Sequence, residues 1–170
     1  MKHPIYEEEQ RFSVWFVVLI LILVTGLMWF GIIQQIIFGI PFGTNPASDE
    51  GLVVLWVIFG IGFPIFFAFI RLKTEIYVDG IYVQYFPFHF RKRRFEFDEI
   101  KTLRVETYHP LKEFLGYGLR FSFKGVTAYN VKGKQGIRIE MIDGKKYLIG
   151  TQEPEAIKEV LQSLNIDVNN

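Results

Sequence analysis

Between Arg11 and Asp49 the sequence carries no charged side chain, a gap of 37 residues spanning positions 12–48. Its first part, Phe12 to Ile33, reads FSVWFVVLILILVTGLMWFGII and is apolar at almost every position. About 20 such residues form a helix long enough to cross the hydrocarbon layer of a bilayer. A helix satisfies its own backbone, so the cost of crossing falls on side chains alone. A second run, Gly51 to Ile70, reads GLVVLWVIFGIGFPIFFAFI and is closed by Arg71 and Lys73. The sequence therefore predicts a membrane α-helical hairpin over 12–70, with spans at 12–33 and 51–70. Pro64 is expected to kink the second span. Trp15 and Trp29 lie toward the ends of the first, where indoles favour the membrane interface.

The first run is longer than the 7–15-residue core of a signal peptide, and no small-x-small cleavage site follows it before Gly39. Lys2 and Arg11 flank it on one side, the connecting segment 34–50 has no lysine or arginine, and Arg71 and Lys73 follow the second run. By the positive-inside rule both termini are expected on the cytoplasmic side of the cell membrane. Pro41 between Gly39 and Gly43 argues for a turn there rather than a helix-packing face. Neither run contains an ionisable side chain, which argues against an ion or proton pathway. Residues 1–11 are read as a cytoplasmic N-terminal segment.

From Thr74 onward the pattern changes to apolar–polar alternation, the signature of half-buried strands. Asp79-Gly80 separates two β-rich runs and predicts a tight hairpin. PFHFRKRRFEF alternates on either side of a basic centre. TLRVETY points Leu103 and Val105 one way and Arg104 and Glu106 the other. GLRFSF sets Leu119, Phe121 and Phe123 against Arg120 and Ser122, and GIRIEM buries Ile137, Ile139 and Met141. Asp143-Gly144 marks a second tight turn. In EPEAIKEVLQSL the apolar residues Ile157, Val160, Leu161 and Leu164 recur with helical spacing, and Pro154 suits a first helical turn. The expectation is a mainly-β domain over 71–165, a seven-stranded bent sheet or barrel capped by a C-terminal helix, with 166–170 a frayed tail.

Within this domain the stretch 115–154 resembles the second half of the bacterial pleckstrin-homology-like (PH-like) domains found in small membrane proteins of unknown function. The resemblance is carried by Gly116–Arg120, Ala128–Val131, the Gly133-x-x-Gly136 turn, Asp143-Gly144 and Ile149–Pro154. The chain departs from that pattern at Leu115 and Tyr117, where glycine and tryptophan are expected. The resemblance implies a fold and a membrane location, over about residues 74–164, and no activity.

The candidate chemistry is sparse. Residues 71–170 hold 17 Lys and Arg against 13 Asp and Glu, an excess of four positive charges. The densest run, Arg91, Lys92, Arg93 and Arg94, is the candidate contact for anionic lipid headgroups, each cation near such a surface contributing about 1 kcal/mol. Its plain alternative is a solvated turn. The hairpin at Asp79-Gly80 has no lysine and does not support phosphoinositide reading. One short basic run gives no footprint for nucleic acid. The chain has no cysteine, so thiolate chemistry and disulfides are excluded. His3, His89 and His109 have no metal-site spacing, and Asp98-Glu99 diverge as neighbours. Gly116-x-Gly118 is too short for a dinucleotide loop. VKGKQG (131–136) has the glycines and lysines of a phosphate loop but a strand, not a helix, after it, so it reads as a strand connection. No cofactor or metal is expected. The functional expectation is a non-enzymatic, membrane-anchored module that holds a protein partner or a second copy of itself at the cytoplasmic membrane face. A lipid-contacting module is the alternative, and an enzyme or transporter accessory subunit the weaker one.

Overall fold

The structure is a computed structural model that describes residues 3–122 and 124–168. Lys2 of the N-terminal flank, Phe123 of the GLRFSF alternation and the last two residues of the expected tail lie outside the described residues. The chain divides into two compact units: Ser13–Phe69, and a second that joins the residues through Phe12 to those from Ile70 onward.

The first unit is the apolar one. α1 (Trp15–Ile32) continues as a π-helical turn over Ile33–Ile37. The return helix is α2 (Asp49–Leu55), a π-helical stretch over Trp56–Gly62, and α3 (Phe63–Phe69). Ser48 opens α2 by accepting the Gly51 N–H, with Asp49 and Glu50 at the positive helix end. Trp15–Ile37 and Asp49–Phe69 have mean hydropathies of 2.8 and 2.6 and are long and apolar enough to cross a membrane. Only 6% and 11% of the two segments is buried, whereas the core helix of a soluble domain would be mostly covered. The helices outrun the expected spans at the turn because Gln34 and Gln35 find partners in the loop. Gln34 donates to the Pro41 carbonyl at 3.1 Å, and Gln35 to the Ala47 carbonyl at 2.9 Å and to Asp49 at 2.8 Å.

The disturbance expected at Pro64 takes the form of the π-helical stretch before it. Pro64 has no N–H to give the Gly60 carbonyl four residues back. The Trp29 indole donates to that carbonyl instead, at 3.2 Å, and Thr25 donates to the Phe59 carbonyl at 3.4 Å. Trp29 also meets Trp56 edge to face, with ring centroids 5.1 Å apart. Trp29, expected to serve the interface, therefore binds the two helices together.

Among the described residues the second unit holds nine strands, two more than expected, in two sheets. The four-stranded sheet runs β1 (Tyr6–Arg11), β2 (Arg71–Tyr77), β3 (Gly80–Phe86), β4 (Arg93–Glu96), all antiparallel. The five-stranded sheet has the order β5 (Ile100–Thr107), β8 (Gln135–Met141), β9 (Lys146–Thr151), β7 (Val126–Asn130), β6 (Gly118–Phe121), with β7 parallel to β9. α4 (Pro110–Phe114) follows β5, and α5 (Pro154–Ser163) ends the fold.

The N-terminal segment is thus not a separate tail. Residues 6–11 are an edge strand, and β1 pairs with β2 in the register Tyr6↔Ile76 through Arg11↔Arg71. Phe12 N–H donates to the Ile70 carbonyl at 3.3 Å, one step beyond the ladder. The apolar unit is therefore an insertion between two neighbouring strands, and its two ends lie side by side.

PFHFRKRRFEF supplies only one strand. β3 stops at Phe86 because Pro87 has no N–H for a ladder, and 87–92 form a turn. The first hairpin also differs by one residue. Val78-Asp79 make its turn and Gly80 already pairs with Tyr77. A Cβ on Gly80 would stand 2.3 Å from the Phe95 carbonyl oxygen, so glycine serves the close approach of β4 rather than the bend. Phe121, expected inward, is 75% exposed on an edge strand.

The inner faces of the two sheets form the core. Leu72, Ile76, Ile81, Val83 and Phe95 come from one, and Leu103, Ile137, Ile139 and Ile149 from the other, all essentially solvent-free. Ile157 and Leu161 of α5 are completely buried, as their helical spacing predicts. A smaller cluster, Tyr108, Phe114, Val126, Ala128 and Leu148, forms where α4 covers the opposite face of the five-stranded sheet.

Candidate functional site

The basic run 91–94 is brought to the rim between the sheets, but three of its four cations have partners. Lys92 pairs with Glu75 of β2. Arg94 bonds Asp79 at 3.0 Å and Glu96 at 3.2 Å, with its guanidinium 5.5 Å from the Tyr82 ring centroid. Arg93 crosses to the other sheet, donating to the hydroxyls of Tyr129 at 2.9 Å and Tyr147 at 2.6 Å and lying over the Tyr147 ring at 4.6 Å. Arg91, exposed in the turn, has no hydrogen-bond or ionic partner among the described residues. Arg93 is a clamp between sheets. The run is neither a bare solvated turn nor an undivided cationic patch.

Glu75 is the hub of this corner. It is 2% exposed and takes Lys73 at 2.9 Å, Lys92, and the Tyr77 hydroxyl at 3.1 Å. Burial alone would push its carboxyl up, but the ammonium groups of Lys92 and Lys73 outweigh that and hold it below the ordinary carboxylate range. His89 lies in the same turn, its ring 5.6 Å from that of Tyr129. Burial and then the neighbouring Arg93 push its imidazole below the ordinary histidine value.

A second polar junction was missed in the sequence. Alternation along β1 turns Glu8 and Gln10 toward the five-stranded sheet, where they are 6% and 2% exposed. Glu8 accepts from the Thr151 hydroxyl at 2.7 Å, the Gln152 N–H at 2.8 Å and the Tyr6 hydroxyl at 3.1 Å. Gln10 donates to the Gly150 carbonyl at 2.7 Å. The Gln152 amide donates to Gln10 at 3.4 Å and to the Lys132 carbonyl at 3.2 Å. VKGKQG closes over this junction: Gly133 has φ +78°, and a Cβ there would stand 2.5 Å from Gln152 Nε2. The run is a strand connection, as expected, and its first glycine makes room for Gln152.

The motif residues of the Gly-Thr-Gln segment thus receive β1. Those farther upstream meet each other, since Gly118 N–H donates to Asn130 Oδ1 at 2.8 Å. Nothing in YEEEQR flags a strand, because five of its six residues are strongly polar and no alternation shows.

The other candidates stay apart. His109 precedes α4, where its N–H donates to Glu113 at 2.8 Å. Asp98 and Glu99 lie in a short 3₁₀ turn. Among the described residues no group of three His, Cys, Asp or Glu is placed to hold a metal ion.

With this geometry in view, comparison with known proteins places the chain in a family. The model of a family described as a family of unknown function (DUF6141) covers residues 3–167. The chain belongs to that family. No curated protein and no solved structure matches it. The match takes in both units and begins before β1, so for the DUF6141 chain the N-terminal strand, the apolar insertion and the two sheets fall within one family sequence.

Proposed function

We propose that the chain is a non-enzymatic, membrane-anchored module whose PH-like β unit holds a protein partner, or a second copy of itself, at the cytoplasmic face of the cell membrane. The observation that carries this reading is the pairing of Arg11 with Arg71 across the ends of the apolar insertion. Two helices that leave and return to adjacent positions of one sheet suit a double crossing, which keeps the whole β unit on one side of the bilayer. Arg11, Arg71 and Lys73 at those ends, against a connecting segment without lysine or arginine, favour the cytoplasmic side. A four-stranded sheet packed on a second sheet with a terminal helix supports the PH-like assignment. Partner binding is supported by Leu111 on α4, Leu115 just after it and Phe121 on β6, which are 60%, 71% and 75% exposed. Crosslinking in native membranes followed by pull-down is the test. Reproducible recovery of one protein or of a homo-oligomer is expected, and recovery of neither contradicts the proposal.

The lipid-contacting alternative rests on Arg91, the member of the basic run whose head is uncommitted. Its measure is binding of the detergent-solubilised chain to anionic against neutral liposomes, with Arg91→Gln reducing the difference if that contact operates.

A further inference from the structure

Ion pairing leaves part of the positive charge of residues 71–170 unmatched, and the fold gathers some of it in one place. On the face of the five-stranded sheet that carries α4, a cavity of about 270 Å³ is lined by Arg104 of β5, Arg138 of β8, Lys146 of β9 and Lys124 of the β6–β7 turn. Glu140 is the one acid in the lining, and it is engaged by Lys101 at 3.1 Å and Lys146 at 3.8 Å. Arg138 is held by Glu106 and by Glu113 at 2.8 Å. Lys124 is exposed and makes no ion pair among the described residues, and Arg104, also exposed, acts on Glu140 through its charge without a close ion pair. Arg104 also lies directly opposite Arg138 in the β5–β8 ladder. Like charges opposed across a ladder destabilise it, and a negative group in the cavity would relieve that repulsion.

We propose that this cavity binds a phosphate group. Guanidinium forks match phosphate oxygens two at a time, and lysines add charge without a fixed direction. Four cations line one cavity, Arg138 and Lys146 paired and Arg104 and Lys124 without a close ion pair, which suits a compact charged group better than an extended acidic segment. The cavity is on the other sheet from both the first hairpin and the run 91–94. The phosphate belongs either to a lipid headgroup or to a free phosphate compound.

The test is hydrogen exchange on the full chain in phosphatidylcholine nanodiscs, read at peptides covering 100–107 and 122–127. Inorganic phosphate is expected to slow exchange there several-fold, with chloride at matched ionic strength having no such effect. Arg104→Gln with Lys124→Gln should lose the protection, exchanging at the same rate with and without phosphate. If the pair disturbs the fold, Lys124→Gln alone, which removes no side-chain hydrogen bond or ion pair among the described residues, should weaken the protection. Slowing by added phosphatidic acid in the nanodisc identifies a headgroup, and slowing by free phosphate alone a soluble ligand. Equal protection by chloride, protection that survives in the variants, or protection by polyglutamate but not by either phosphate source overturns the proposal.

Discussion

At the scale of single residues, the second unit is joined by a few buried polar groups whose neighbours in the chain look just like them. Glu7, Glu8 and Glu9 are consecutive, yet only Glu8 faces inward and gathers three donors. Hydrogen bonds to a charged acceptor contribute about 1.5–3 kcal/mol each, and orphaned buried donors cost more than the bond was worth. Glu8→Ala should therefore destabilise the docking of β1 by about 2–4 kcal/mol, whereas Glu9→Ala should stay within about 0.5 kcal/mol. Opening free energies of the β1 amides in the solubilised chain check both. Glu75 gives a pH signature. Its folded-state pKa is lowered, so its stabilisation is complete above the unfolded value of about 4.3 and is lost as pH falls through the folded one. Between about pH 5 and pH 3, Glu75→Gln should show a shallower loss of stability than the parent in acid denaturation followed by near-ultraviolet dichroism. Leu115 ends α4 with φ +57°, a left-handed position that favours glycine. Leu115→Gly should raise the stability of this region by about 0.5–1 kcal/mol, read by hydrogen exchange at α4.

Elements differ in how openly the sequence declares them. β8 and α5 were legible because each carries its own period: Ile137 and Ile139, Ile157 and Leu161 are all solvent-free. The apolar helices were legible from length and lack of charge. β1 was not, because its identity as a strand comes from β2, which lies beyond the whole insertion, and its own residues are polar throughout. The basic run was visible as charge, but charge does not reveal partners, and only the fold commits Lys92, Arg93 and Arg94 to Glu75, two tyrosines and Asp79. Within the helical pair, the missing N–H of Pro64 and the Trp29 indole are two halves of one arrangement around the Gly60 carbonyl. Trp29→Phe should weaken helix association by about 0.6–1.7 kcal/mol. In a Pro64→Ala background that loss should shrink, because the restored N–H serves the same carbonyl. A double-mutant cycle on unfolding in bicelles measures the coupling.

For the whole molecule, the decisive feature is where the insertion lies. A hairpin of helices appended to one end of a β domain could face either way, with its flanks unconstrained. A hairpin spliced between paired strands ties its two ends to neighbouring strands of one sheet, at Arg11 and Arg71, and Glu9 lies 3.9 Å from each of those arginines. The N-terminal strand thereby depends on the insertion returning beside it. The far end of the helices is the connecting loop, where Pro41 lies midway in sequence between Arg11 and Arg71 and Asn45 follows it. The chain has no cysteine, so single cysteines report position without background. The direct measurement is labelling of Asn45→Cys and Lys158→Cys variants by a membrane-impermeant maleimide in intact cells, compared with cells made permeable. Labelling at 45 in intact cells, with 158 reached only after permeabilisation, is the expected result; labelling of 158 in intact cells, or equal labelling of both sites, would contradict a cytoplasmic β unit held by two membrane crossings.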